Sequence, residues 1–332
     1  MYNLTPSHCP MNRTVFTTSN THRRLLGWAL VLALGLAPRT GHACACGCGV
    51  FDVGTSSMLP TGPGGMVAVE YDYQDQNHNW SGSSMAPAAD NGDKDIRTDF
   101  ITTDIQEMFN ASWGMNVEAP YDQRYFTTTG GATGNDIVSQ SWSCLGDVRV
   151  RAEYTGFSPD LSSGVSFGLK LPTGNFTHND AFDDIDRDSE IGTGTTDVLF
   201  GGFKRGALPG SSGWSWFAQG IVDVPLAARD QYIPGDEVDT AFGVYPRSWW
   251  IDRLQITPEA QVKVSYRSED GGNGASNPVA SGYRRVLLAP GIEANLHPLM
   301  VYTDVELPGY QHFTGNQLAA RVLFKLSVAY MF

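Results

Sequence analysis

Nowhere in the 332 residues do 18 apolar side chains run without interruption, which excludes crossing lipid by helices of ordinary length. Charge is scarce too: Asp, Glu, Lys and Arg make up 17% of the chain, with 22 Lys and Arg against 35 Asp and Glu, a formal net charge of −13. Nucleic acid is excluded as a partner, because neutralising phosphates takes clustered Lys and Arg. The acidic balance fits a solvated surface and a preference for cations. Helical periodicity is almost missing beyond the amino-terminal region, and no repeat of fixed length or linker divides the rest.

What is present begins with an export signature. Arg23 and Arg24 precede the apolar run Leu25 to Ala37, and Pro38 and Gly41-His42-Ala43 follow. These are the charged, apolar and small-residue parts of a secretory signal; Met11 is an alternative start. The expected division is a signal at 1–43, a Cys- and Gly-rich periplasmic segment at 44–64, and one β-domain at 65–332. Once exported, a chain without apolar helices is either soluble or a closed sheet, since lipid tolerates no unpaired backbone.

Period-two alternation fills the remainder. In the final segment Leu318, Ala320, Val322, Phe324, Leu326, Val328, Tyr330 and Phe332 form one face; Ala319, Arg321, Leu323, Lys325, Ser327, Ala329 and Met331 form the other. That length exceeds the usual strand of about five or six residues and suits a tilted membrane strand of roughly nine to eleven. Similar alternation marks 67–73, 147–154, 165–171 and 254–267, with weaker stretches near 98–109, 114–121, 195–203, 214–224, 237–246, 284–295 and 299–307. Between these twelve strands the connections alternate in length. Those near 74–97, 122–146, 172–194, 225–236, 268–283 and 308–316 are the longer set, as external loops and periplasmic turns require. Trp113, Tyr121, Trp214, Trp216, Trp249, Trp250 and Tyr330 fall at strand ends, where interfacial girdles form. The expected fold is all-β: a transmembrane antiparallel up-and-down β-barrel of about twelve strands, closed by pairing the first with the last. A soluble sandwich or lipocalin-like barrel is the competing fold.

Gly168-Leu169-Lys170-Leu171-Pro172-Thr173-Gly174, then Ile191-Gly192-Thr193-Gly194-Thr195-Thr196-Asp197-Val198, with Gly146-Asp147-Val148 and the terminal Phe332, resembles the outer-membrane family named for meta-pathway phenol degradation. The resemblance implies a barrel for passive uptake, extending to apolar or aromatic compounds, in the outer membrane of a Gram-negative bacterium. Tyr330 and Phe332 also resemble the carboxyl-terminal signal read by the barrel-assembly machinery. The start at Cys44-Ala45-Cys46-Gly47-Cys48-Gly49 departs from that family's pattern.

The inward positions expected from the alternation are Asp147, Arg149, Arg151, Glu153, Lys170, Glu259, Lys263, Arg267, Arg321 and Lys325. A lumen of both signs favours polar solutes, and the same charges could simply pair across it. Cys44, Cys46 and Cys48 can converge on a soft metal such as Cu or Zn, which makes a metal-handling component the alternative function. Two of them could instead form a disulfide, with Cys144 as a competing partner, or Cys44 could be acylated. Asp180, Asp183, Asp184, Asp186, Asp188 and Glu190 surround Arg187 in one loop. Ca could bind there, but Ser189 stands where the required Gly should be, and a solvated acidic loop bridging to lipopolysaccharide is the plainer expectation. No cofactor is needed. With no His-x-Ser pair on any strand, the chain reads as a non-enzyme whose partners are outer-membrane lipid, lipopolysaccharide and a small solute.

Overall fold

Along Leu254–Arg267 the buried side chains are Thr257, Glu259, Gln261, Lys263 and Ser265, while Ala260, Val262, Val264 and Tyr266 between them are exposed. That is a soluble sheet turned inside out, and the same inversion runs round the whole molecule. In the computed structural model, which describes residues 53, 56–60, 62–130, 136–179, 185–227 and 229–332, fourteen strands appear. They are β1 (Gly64–Gly82), β2 (Ser84–Met85), β3 (Asp93–Met108), β4 (Trp113–Gly130), β5 (Asp136–Leu145), β6 (Val148–Tyr154) and β7 (Ser163–Leu171), followed by β8 (Thr196–Ala207), β9 (Trp214–Ala227), β10 (Glu237–Pro246), β11 (Trp249–Ile251), β12 (Leu254–Arg267), β13 (Tyr283–Leu296) and β14 (Leu299–Met331). The export signal expected at 1–43, Cys44, Cys46 and Cys48, and Asp180, Asp183 and Asp184 of the acidic loop lie outside the described residues.

Eleven of the strands close into one antiparallel ring, with β1 paired to β14 and β10 to β12; β2, β5 and β11 hang from its ends. The 33 residues of β14 would reach roughly 110 Å if straight, several times the height of an apolar belt of about 25 Å. They fold back instead. Residues 299–313 pair with β13 and residues 313–331 with β1, Gly315 takes a left-handed φ of 68° at the bend, and the Met331 N–H donates to the Pro298 carbonyl at 2.9 Å. The chain therefore crosses the wall twelve times. The expected seam is present, with Val67 opposite Tyr330 and Tyr73 opposite Phe324.

The physical cause of the inversion is hydrocarbon around the outside. Val69, Ile101, Ile105, Phe200, Phe242, Leu288, Ile292, Val301 and Val328 are all exposed on the outer face. Trp113, Trp214, Trp249 and Trp250 ring the lower end, where the connections are short, and an indole gains from both lipid and water there.

At the upper end the long connections are not simply loops. β1 runs on to Gly82, β3 starts at Asp93, β4 continues to Gly130 paired with β5, and 308–313 stays in β14. Above the belt the outer face of these ribbons turns largely polar, and the inner face mixes polar residues with the buried cluster of Ile96, Phe126, Trp142, Cys144 and Leu318, so hydrophobic alternation fades there while the backbone ladder continues.

Leu326, outward and opposite Tyr71, sits midway between Tyr330 at the lower end and Val322 near the upper edge. Leu326→Arg is expected to cost about 2–4 kcal/mol on insertion and Val322→Arg less, measured by heat-modifiable mobility after refolding into bilayers. Equal tolerance of both would place this face away from lipid.

Candidate functional site

The side chains that alternation turns inward meet as ion pairs rather than as a bare polar wall. Lys325 of β14 is 0% exposed and reaches Glu70 at 2.9 Å and Asp72 at 3.5 Å on β1. Lys263 of β12, 1% exposed, holds Glu306 at 2.5 Å and Asp304 at 3.4 Å on β14. Two lysines and four carboxylates thus fill one side of the barrel. On this side Gln261 donates to Tyr302 (2.6 Å) and Glu259 (2.7 Å), and the Tyr302 hydroxyl donates to Asp304 (2.9 Å). Across the lumen Lys170 bridges Asp197 and Asp223 (2.6 Å), Arg151 pairs with Glu118, Arg149 lies 3.7 Å from Glu118, and Gln106 donates to Glu153 at 3.2 Å. Arg267 pairs with Asp270 at 2.8 Å near the upper rim. Burial of this order needs such partners, because an uncompensated ion would lose its hydration for nothing.

A chamber of about 250 Å³ remains between the two paired walls. Twelve carboxylate residues and five Lys or Arg line it, among them Asp147, Arg149, Arg151, Glu153, Lys170 and Arg267, so the space itself is acidic. Its floor is the segment ahead of β1. Val53 and Leu59 pack on Leu199, Phe217, Ile221 and Ala241, Met58 against Met66, Met300 and Ala329, Ser56 donates to Glu259 at 2.7 Å, and Arg205 donates to the Pro60 carbonyl at 2.8 Å. Its roof is the connection between β7 and β8, held by Arg124, whose guanidinium donates to the Ser189 and Glu190 carbonyls at 2.6 and 2.9 Å. Burial beside Asp186 and Asp270 pushes the Asp188 carboxyl in that roof well above its usual range.

The three motif segments converge here, which their separation in sequence does not announce. The Asp147 carboxylate accepts from Gly174 N (2.9 Å), Thr193 N (2.8 Å) and the Thr193 hydroxyl (2.7 Å). Gly174 and Gly192 pass so close that a Cβ on either would lie 2.7 Å from the other's Cα. A motif that reads as turn chemistry is therefore a latch fastening the roof to the start of β6.

Arg321 corrects the expected lumen set. Between Gln74–Leu323 and Gln76–Ala320 the register slips by one residue, leaving Arg321 and Val322 both exposed while Ala320 and Leu323 are buried. The bulge breaks the alternation that assigned Arg321 inward. Glu70, Asp72, Asp197, Asp223, Asp304 and Glu306 are lumen charges that sequence reasoning did not single out, although period two across each strand marks them. Gly164-Val165-Ser166-Phe167-Gly168 matches a nucleophile elbow in letters, yet it lies inside β7 and not on a strand-to-helix turn. Tyr330 and Phe332 are exposed on the lower outer face, where Phe332 and Gly65 exchange backbone hydrogen bonds of 2.9 Å. Cys144 is buried against Ile96, Phe126 and Trp142. Among the described residues no group of three or more His, Cys, Asp or Glu could hold a metal ion.

Lys325→Met leaves Glu70 and Asp72 facing each other without a cation. The expected loss is about 3–5 kcal/mol, read from the urea midpoint in micelles, and Lys325→Met with Glu70→Gln and Asp72→Asn is expected to recover part of it. An unchanged midpoint in the single variant would show the pair to be solvated.

No family model matches the sequence, and no curated protein matches it. Solved structures do. An outer membrane channel from Pseudomonas putida aligns over 84% of this chain and 100% of its own, at 10% identity and a TM-score of 0.60. The monoaromatic hydrocarbon channel CymD aligns over 88% and 94% at 9% identity and 0.43, and a Pseudomonas aeruginosa FadL homologue over 87% and 99% at 10% identity and 0.39. At 10% identity the likeness to the Pseudomonas putida channel speaks for architecture alone, that of a transmembrane β-barrel.

Proposed function

We propose that this protein lies in the outer membrane of a Gram-negative cell, exported through its signal at 1–43, and passes small polar solutes through its lumen with a preference for cations. The observation that carries this reading is the acidic chamber between floor and roof, where twelve carboxylate residues outnumber five Lys and Arg. Preorganised carboxylates in a narrow, low-dielectric passage focus a negative potential and raise the local concentration of cations. The motif resemblance to the phenol-degradation family supports a channel, whereas that family's apolar or aromatic solutes fit a charged chamber poorly. In this orientation the short turns and the floor are periplasmic, and Tyr330 and Phe332 stand where assembly machinery could grip them.

Passage requires the floor to shift. Its grip is largely apolar, through Val53 and Leu59, and replacing buried apolar side chains by small polar ones weakens such contacts. Val53→Ser with Leu59→Ser is expected to raise single-channel conductance in planar bilayers above that of the parent barrel. Identical conductance would move the constriction elsewhere, and folded barrels that carry no current in either form would contradict the channel reading.

A further inference from the structure

Among the described residues, outward-facing arginines on the strands are confined to one arc of the barrel. On the outer face of β4 through β12, among the described residues, there is no arginine, and the one lysine, Lys204, lies toward the lower end. The arc formed by β13, both arms of β14, β1 and β3 carries Arg284, Arg321 and Arg97, all exposed, together with the partly buried His312 and His78. None of the three arginines is in an ion pair with a described carboxylate. Arg284 lies over the Tyr266 ring at 5.7 Å and Arg97 over Tyr125 at 5.1 Å, contacts that hold a guanidinium flat while its N–H groups stay available.

Register fixes their height. Arg284 stands opposite His312, Arg97 opposite Asp75, and Arg321 next to the pair Gln76–Ala320. Directly below them the outer face turns apolar, with Leu288, Tyr310, Val322 and Ile101. Adjacent strands lie about 4.8 Å apart, so Arg321 is roughly 10 Å from Arg97 on one side; on the other, the return of β14 on itself puts Arg284 two strands across and about four residues, roughly 13 Å, higher along the strands. Asp95 and Asp99 share the outer face near Arg97, and Asp75, opposite Arg97 on one side, faces the Arg321–Val322 bulge on the other, which leaves Arg284 and His312 as the purely cationic part of the arc and Arg321 with a single neighbouring carboxylate outside ion-pair distance. The bulge in β14 is what supplies Arg321: with unbroken alternation it would face the lumen and the arc would lose its centre. Bulges recur where a side chain must be re-aimed.

We infer that this arc binds the phosphate groups of lipopolysaccharide in the outer leaflet, with Arg284 and Arg321 as the principal contacts. A guanidinium matches a phosphate in fork geometry, and cations at the edge of an apolar belt meet anionic headgroups directly. The inference rests on the outer-membrane placement proposed above and is independent of what the lumen carries.

The test is titration of the purified barrel in micelles with lipid A, read by native mass spectrometry as lipid retained per barrel. Arg284→Ala with Arg321→Ala is expected to need about ten-fold more lipid A for equal occupancy, while Lys204→Ala at the far end behaves as the parent. Arg284→Lys with Arg321→Lys is expected to recover part of the difference, and it keeps the test decisive if the alanine pair fails the heat-modifiability check for folding. Lipid A stripped of its phosphates should bind the parent no better than the alanine pair does. Equal occupancy in the alanine and parent barrels, equal binding of phosphate-free lipid A, or equal retention of phosphatidylglycerol would each overturn the assignment. Conductance in bilayers free of lipopolysaccharide reads the channel proposal separately.

Discussion

Hydrocarbon offers no hydrogen-bond partner, and that constraint organises everything else in this molecule. Each backbone N–H and C=O within the belt must find a neighbour in the sheet, so the sheet has no permissible edge and closes through β1 with β14 and β10 with β12. Closure then sorts side chains by parity. One set must dissolve in lipid, and the other is left to fill a lumen from which bulk water is largely excluded. Charges sent inward have to satisfy one another, and the clusters around Lys325, Lys263 and Lys170 are the result. The same clusters that brace the wall also define which solutes the remaining chamber can accept.

That logic explains what could be read in advance. Wherever lipid lies on one side and the lumen on the other, period two survives in the sequence, and all twelve wall crossings stand where alternation placed them. Within the lumen, Lys170, Glu259, Lys263 and Lys325 are buried as parity requires. The ribbons above the belt, such as β4 with β5, escaped because an outer face in water no longer demands apolar residues, and the few turned inward, Phe126, Trp142 and Cys144, are too sparse to mark a period. Arg321 escaped for a different reason: a bulge is a one-residue event in pairing, and pairing depends on a partner strand some 245 residues away.

The floor and the latch mark a second limit. Val53, Met58 and Leu59 are ordinary apolar residues in a segment without periodicity, and only the shape of the barrel's lower end makes them a floor. The glycines at 174 and 192 look like turn residues; what sequence hides is that the two ends of the connection meet at them, tied by Asp147. Motif residues here act on the geometry of a roof, not on a reaction. The solute and the regulation must therefore be sought in the chamber that roof and floor enclose.

The most direct measurement of that idea is the reversal potential of single channels in a planar bilayer under a salt gradient of about ten-fold. An acidic chamber predicts a potential with the sign of cation preference, weakened when Glu237, which lines it and receives the Tyr283 hydroxyl, is replaced by Gln. A potential of the opposite sign, or one unmoved by that replacement, would contradict the account.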